Sequence, residues 1–328
     1  MYWPLDGASF RPCIHGCWPK NAPSQPKYVS TTHSNSANTP GNVPTALFAA
    51  NHKNPSMLRY AWNMAFLIIF LVALAISAVG FHRYIWFISI GYGFSIAGIG
   101  AALLIYFGIT GGLTAVSIVM AALLIVYGLR LGGYLLAREY RSSSYHQVMQ
   151  QAIDNGKHVK LPLKLLTWVG CALLYACEAS PIAFRLQNHA GTDAVAIVGA
   201  AIMGAGILLE SAADLTKNRF KQQHPHRFCD VGLFRLVRCP NYLGEIVMWT
   251  GVFVSGVTIL SGAWQWIAAI GGYLCICWIM FGGARRLELR QNKEYGSDPE
   301  YQHYTKHTPI LIPFIPLYSV ANAKWLIG

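Results

Sequence analysis

Seven apolar runs, at about residues 61–80, 85–107, 113–136, 165–184, 194–209, 243–261 and 264–283, constrain this chain more than anything else in it. A helix needs roughly 20 consecutive apolar residues to cross a bilayer. The runs predict an all-α fold, a polytopic membrane helix bundle of about seven transmembrane helices. The run at 194–209 is the shortest and gives the weakest signal. No Gly-x-Gly-x-x-Gly follows a strand-like pattern, which argues against a soluble dinucleotide-binding domain.

Composition agrees. Charged residues make up only 12% of the chain and hydrophobic ones 54%. A soluble protein carries roughly twice that charge density. The net charge of +12 does not point to nucleic acid, because the basic residues sit in a few loops between apolar runs. That is how a membrane protein marks its cytosolic side. A basic face also attracts anionic headgroups and phosphorylated cofactors.

Residues 1–56 are rich in Pro, Ser, Thr, Asn and His and lack apolar periodicity. They read as a disordered tail ahead of a single membrane domain at 57–328. The tail has one acid, Asp6, as a transit peptide would, but too little Arg for one. Arg83 and the loops at 138–164 and 217–238 hold nearly all the basic loop residues, together with the C-terminal segment. The opposite loops, GITGG at 108–112 and SGA at 261–263, hold none. The expected topology has the N-terminus outside and those loops in the cytosol, although Lys53 and Arg59 pull the other way.

Cys171, Cys177, Cys275 and Cys277 fall in apolar runs, where cysteine behaves as a small hydrophobe. Cys13 and Cys17 lie in the tail without other ligand-like spacing, so no metal site is expected.

Charge inside or beside lipid is costly and needs a partner. In ESAADLTKNRFK, Glu210, Asp214, Lys217 and Lys221 share one helical face, with signs sorted minus, minus, plus, plus. Like charges four apart cost stability. The face is either solvated and locally paired, or it holds a ligand, acids for sugar hydroxyls and lysines for phosphate. In YGLRLGGYLLAREYR, Tyr127, Arg130, Tyr134, Arg138 and Arg141 form another face. They are either interfacial anchors or a phenol donor held among arginines. Glu178 lies within the fourth run, a functional candidate by default unless it sits near the outer end, where Pro181 and Arg185 follow. CDVGLFRLVRCPNYLGE at 229–245 sets Arg235, Arg238, Asn241 and Glu245 at the mouth of a membrane helix. Pro240 presets the turn and Asn241 is the expected N-cap. Arg285 and Arg286 follow the last run, as anchors or as phosphate ligands, with anchors favoured by charge position alone.

GLFRLVRCPNYLGEIVMWTG, with GYGFSIAGIG, YGLRLGGYLLAR, ESAADLTKNRFK and YQHYTKHTPILIPFIP, resembles the steroid 5-alpha-reductase-like membrane enzymes, in their less-characterised branch. The likeness covers about residues 84–318 and is most specific over 194–318. The wider superfamily also holds isoprenylcysteine carboxyl methyltransferases. The resemblance implies a seven-helix bundle with NADPH in a cytosol-facing cavity. It implies hydride transfer to the β-carbon of an enone in a hydrophobic substrate, and a home in the endoplasmic reticulum if the cell is eukaryotic. Carried over by position, Asn241 and Glu245 meet the nicotinamide region, Asp214 and Lys221 match an acid-to-basic spacing of the cofactor helix, and Arg285 roughly matches a cofactor-contacting arginine. Glu210, Lys217, Arg238, Tyr242 and Arg286 complete the expected cofactor-binding set. Tyr134 faces the substrate carbonyl, with Arg130 beside it. Cys239 stands where relatives of this branch commonly have His, and the catalytic acid of the steroid enzymes' second helix has no clear match. The alternatives are an S-adenosylmethionine-dependent membrane methyltransferase and an inactive membrane scaffold. Its partners are expected to be the hydrophobic substrate and membrane lipids, with no nucleic acid.

Overall fold

The computed structural model describes residues 64–141 and 159–326. The expected disordered tail, Cys13, Cys17 and most of the 138–164 loop lie outside the described residues. Within them the chain is all-helical. Seven apolar helices run as α1 Met64–Ser77, α2 Ile90–Thr110, α3 Ala115–Arg141, α4 Leu161–Gln187, α5 Ala194–Gln223, α6 Pro240–Gly256 and α7 Gly262–Tyr295. A short α8, Pro299–His307, follows. One-turn 3-10 segments at Ala78–Phe81, Tyr84–Phe87 and Gly232–Arg235 join them. Six spans are long and apolar enough to cross a membrane, the first two including 3-10 turns beside α1 and α2. α6 has 17 residues, about 26 Å, and is the short one. The chain is a multi-pass membrane protein.

Two helix boundaries differ from the sequence reading. The fifth helix is 30 residues long instead of the shortest. Its charged stretch 210–221 continues the helix because its acids find a partner on α3, described below. The N-cap of α6 is Cys239 and not Asn241, and Pro240 occupies the first turn. Proline there gives up an N–H that the first turn leaves unpaired anyway, and its ring fixes the helical φ.

Glycines set how close the helices come. Gly199 and Gly206 of α5 face Gly251 and Gly244 of α6. A side-chain carbon at Gly206 would stand 2.3 Å from the Met248 nitrogen, and one at Gly244 2.6 Å from the Glu210 nitrogen. In a bilayer such small residues replace the hydrophobic effect as the cause of tight packing. The result places Glu210 of α5 directly against the start of α6, beside Glu245. Gly93 of α2 and Gly132 of α3 meet in the same way.

The end of the bundle that carries the basic loops is closed by a strap, residues 309–326. The Arg238 and Cys239 backbone nitrogens donate to the carbonyls of Pro309 and Ile310, at 2.9 and 3.0 Å. Ile310, Leu311, Val320 and Leu326 then bury against Cys239 and Ala284. Arg285 Nε donates to the Ala321 carbonyl at 3.1 Å. Buried Glu288 accepts from Arg238 at 2.8 Å with one oxygen and from the Val320 N–H at 2.9 Å with the other.

Candidate functional site

A column of polar side chains enters the bundle at its basic end and runs inward between α2, α3, α4, α5 and α6. At its mouth, the Tyr134 hydroxyl donates to Asn218 Oδ1 at 3.2 Å, and the Arg138 guanidinium lies 5.4 Å from the Tyr134 ring centre. Lys217 is half-buried, within electrostatic reach of Arg138, Asp214 and Arg290. Tyr242 is within reach of Arg138 and the exposed Arg286. Arg138 of α3, Lys217 of α5 and Arg286 and Arg290 of α7 thus gather at this end of the column.

One level deeper, Arg130 of α3 bridges to α5. Its guanidinium is 2.6 Å from Glu210 Oε1 and also pairs with Asp214. The acid half of the sign-sorted face is therefore bridged from inside the protein, which relieves the repulsion that pointed toward an outside ligand. The pairing is incomplete: buried Glu210 Oε2 has no hydrogen-bond partner. Neither has Asn241 Oδ1, also buried, at the start of α6.

Deeper still is a closed aromatic knot. The Tyr92 hydroxyl donates to Glu245 Oε1 at 2.9 Å and accepts from Trp249 Nε1 at 2.8 Å. The Tyr127 hydroxyl is 3.3 Å from it. Tyr127 lies seven residues from Tyr134 on α3, about 10 Å further in. Beyond the knot stands Glu178 of α4, buried, with both oxygens unpartnered.

Other residues singled out in the sequence serve the walls of this column. Lys221 Nζ donates to the Tyr295 hydroxyl at 3.0 Å and to the Pro225 carbonyl at 3.2 Å. Arg238 is buried on Glu288 and the Tyr318 carbonyl, and Arg285 holds the strap. Cys239, in the loop outside the spans, is sealed by the strap. Burial pushes its thiol up to about 12, against the opposing pull of Lys217 and Arg238. Two open clefts, of about 620 Å³ beside Arg227, Arg235 and Tyr304 and about 640 Å³ beside Arg219 and Phe220, lie outside the column.

Sequence reasoning did not single out Tyr92, Trp249 or Glu288. Tyr92 had one signal, a hydroxyl between two glycines in the apolar string GYGFS. Trp249 and Glu288 had none, because their partners are 157 and 50 residues away.

A family model described as "Protein of unknown function (DUF1295)" matches residues 82–308, well over half the chain. The chain belongs to the DUF1295 family. This DUF1295 member is 36% identical over 84 residues to a steroid 5-alpha-reductase DET2 of Gossypium hirsutum. It is 30% identical over 121 residues to the protein of that name in Arabidopsis thaliana. It is 39% identical over 83 residues to a very-long-chain enoyl-CoA reductase of Dictyostelium discoideum. These matches take in 26%, 36% and 25% of the chain, and 28%, 41% and 23% of the relatives' own lengths. The steroid 5-alpha-reductase-like character read from the sequence holds. No solved structure matches.

Proposed function

We propose that the protein is a membrane-embedded, NADPH-dependent reductase of a carbon–carbon double bond conjugated to a carbonyl in a hydrophobic, lipid- or steroid-like substrate. The observation that carries this reading is the shared word in the relatives' names. Steroid 5-alpha-reductase and enoyl-CoA reductase differ in substrate but agree in reducing a carbon–carbon double bond. The column supports it physically.

The chamber fits a phosphorylated nicotinamide cofactor. Its mouth gathers cations for phosphates, and one level deeper lies an amide oxygen, Asn241 Oδ1, buried without a donor. A carboxamide N–H is the complement such an oxygen lacks. Lys217 and Arg286, with Arg138 beside them, would hold phosphates. Asn241 and Glu245 would hold the nicotinamide end, with Tyr242 along its side and Glu210 Oε2 free for a hydroxyl. When bound, the cofactor supplies the hydride.

The remaining work falls to this chain's own residues. Hydride arrival at a β-carbon pushes charge onto the carbonyl oxygen, and a fixed hydroxyl in a dry site stabilises it. Tyr134 is the hydroxyl at the mouth, and Tyr92 is the one at the depth of Glu245. Arg130 sets the field between them and keeps Glu210 and Asp214 from repelling each other. Lys221, Arg238 and Arg285 keep the chamber's floor in place through Tyr295 and the strap.

S-adenosylmethionine carries no phosphate, so the converging cations favour the reductase over the methyltransferase. The test is a titration of gently solubilised protein with NADPH and with S-adenosylmethionine, together with mass spectrometry of any cofactor retained. Tight NADPH binding is expected. Binding of S-adenosylmethionine alone replaces the reading with the methyltransferase, and binding of neither leaves a scaffold.

A further inference from the structure

Glu178 has no structural job in the fold. It is 3% exposed, nine residues from the Gln187 end of α4, and both its carboxyl oxygens lack a hydrogen-bond partner. The local backbone does not need it. Pro181 has no N–H to return to the Cys177 carbonyl. Gly272 of α7 covers that carbonyl instead: a side-chain carbon on Gly272 would stand 2.7 Å from the Cys177 oxygen.

Its neighbours do not need it either. Cys171, Tyr175 and Glu178 fall on one face of α4, four and three residues apart. The Tyr175 hydroxyl donates to the Phe87 carbonyl. Tyr175 and Tyr92 lie with ring centres 5.0 Å apart, and Tyr92 is fully engaged with Glu245 and Trp249. Glu178 is within electrostatic reach of Tyr92, Tyr175 and Glu245. It ends the polar column, one step beyond the nicotinamide seat proposed above. Tyr92, Tyr175 and Glu245 are each partnered and this carboxyl is not. A carboxylate without a donor is costly in such surroundings, whereas the neutral acid has an O–H to give. A neutral acid in an apolar site donates to a carbonyl as a tyrosine does.

We propose that Glu178 is a substrate-binding residue, whose O–H donates to the carbonyl oxygen of an otherwise apolar, lipid-soluble ligand. The ligand class rests on the reductase reading; the unpartnered acid does not. Only a hydrogen bond forms, so no co-reactant is required.

The experiment uses the full chain, purified in detergent, as wild type, Glu178→Leu and Glu178→Gln. The first measurement is thermal unfolding. Leucine there removes an unsatisfied polar group, so Glu178→Leu is expected to melt at or above the wild-type temperature. A clearly lower melting temperature means the carboxyl holds the fold, and overturns the proposal. The second measurement compares binding of cholest-4-en-3-one with cholest-4-ene, which lacks the carbonyl, by quenching of tryptophan fluorescence. Wild type is expected to favour the enone tenfold or more. Glu178→Leu is expected to lose that preference, and Glu178→Gln to keep part of it through its amide N–H. No preference in wild type, or the same preference in Glu178→Leu, overturns the proposal. NADPH binding to the same samples separates the two readings. Intact NADPH binding with an unchanged preference sinks only Glu178. A Glu178-dependent preference without NADPH binding sinks the reductase and leaves Glu178 standing.

Discussion

The two ends of this bundle treat buried polar groups in opposite ways. At the end away from the basic loops, fully buried Arg185 donates to the carbonyls of Ser255 and Gly191 and pairs with Asp193. Asp193 also caps α5 through the Ala196 N–H at 2.7 Å and accepts from Thr258 at 3.0 Å. Asn188 and Gln265 exchange hydrogen bonds, and Gln265 takes the Ser261 N–H as well. That network is closed. In the column leading from the basic end, Glu210, Asn241 and Glu178 each keep an oxygen without a donor. A closed network rigidifies, whereas an unsatisfied one costs stability unless something else completes it. The difference teaches where to look for a ligand: the two networks are built from similar residues, and only one is unfinished.

Mutations can break that contrast. The largest effect is expected at the closed end. Arg185→Leu strands Asp193 and two carbonyls, and should cost about 3 kcal/mol of stability or more, seen as a lower melting temperature. A neutral result would show that the closed end is not a clamp. Next comes Tyr92→Phe. It removes the hydroxyl that holds Glu245, so turnover on an enone should fall on the order of a hundredfold. Tyr134→Phe should cost less than Tyr92→Phe, since Tyr134 sits at the mouth. The reverse order would move the chemistry outward, to where the family resemblance puts it. Smaller again is Lys217→Ala, expected to weaken NADPH binding by roughly 1.5–3 kcal/mol, the worth of a charge-assisted contact. Lys221→Ala should weaken it less, because Lys221 is already held by Tyr295 and Pro225. Equal losses would place both lysines on phosphate.

The smallest effect concerns Cys239. With a thiol pushed up to about 12 by burial, the reactive thiolate is scarce from pH 7 to 9, and the strap blocks access. Alkylation by maleimide should be slow in wild type and faster in Glu288→Ala, which frees Val320. Rapid labelling of Cys239 in wild type would mean that the strap does not seal it.

The spans were legible because each is an uninterrupted apolar run, and hydrocarbon admits little else. The fifth was read too short because the reading stopped at Glu210. A charge ends a span only when it lacks a partner, and Arg130, 80 residues earlier, was invisible as one. The start of α6 was read two residues late because Asn is the better cap by type, while Pro240 had already fixed the first turn. At the site, single-helix spacing correctly grouped Arg130 with Tyr134, and Glu210 with Asp214. It gave no hint that the first pair faces the second, since that pairing depends on how α3 and α5 are brought together by glycine seams elsewhere. Glu178 was visible as an anomaly in the sequence; that it has no partner needed the structure.

The strap has a consequence for how the protein is made. Residues 309–326 are translated after α7, so all seven long helices are made before anything exists to cover this end of the bundle. Until then Arg238 and Glu288 lack their strap contacts and Cys239 is uncovered. Newly inserted chains therefore pass through a stage in which this end of the bundle is uncovered. A chain interrupted between Tyr295 and Pro309 would be caught at that stage: helical, yet with Cys239 and Ala284 left uncovered.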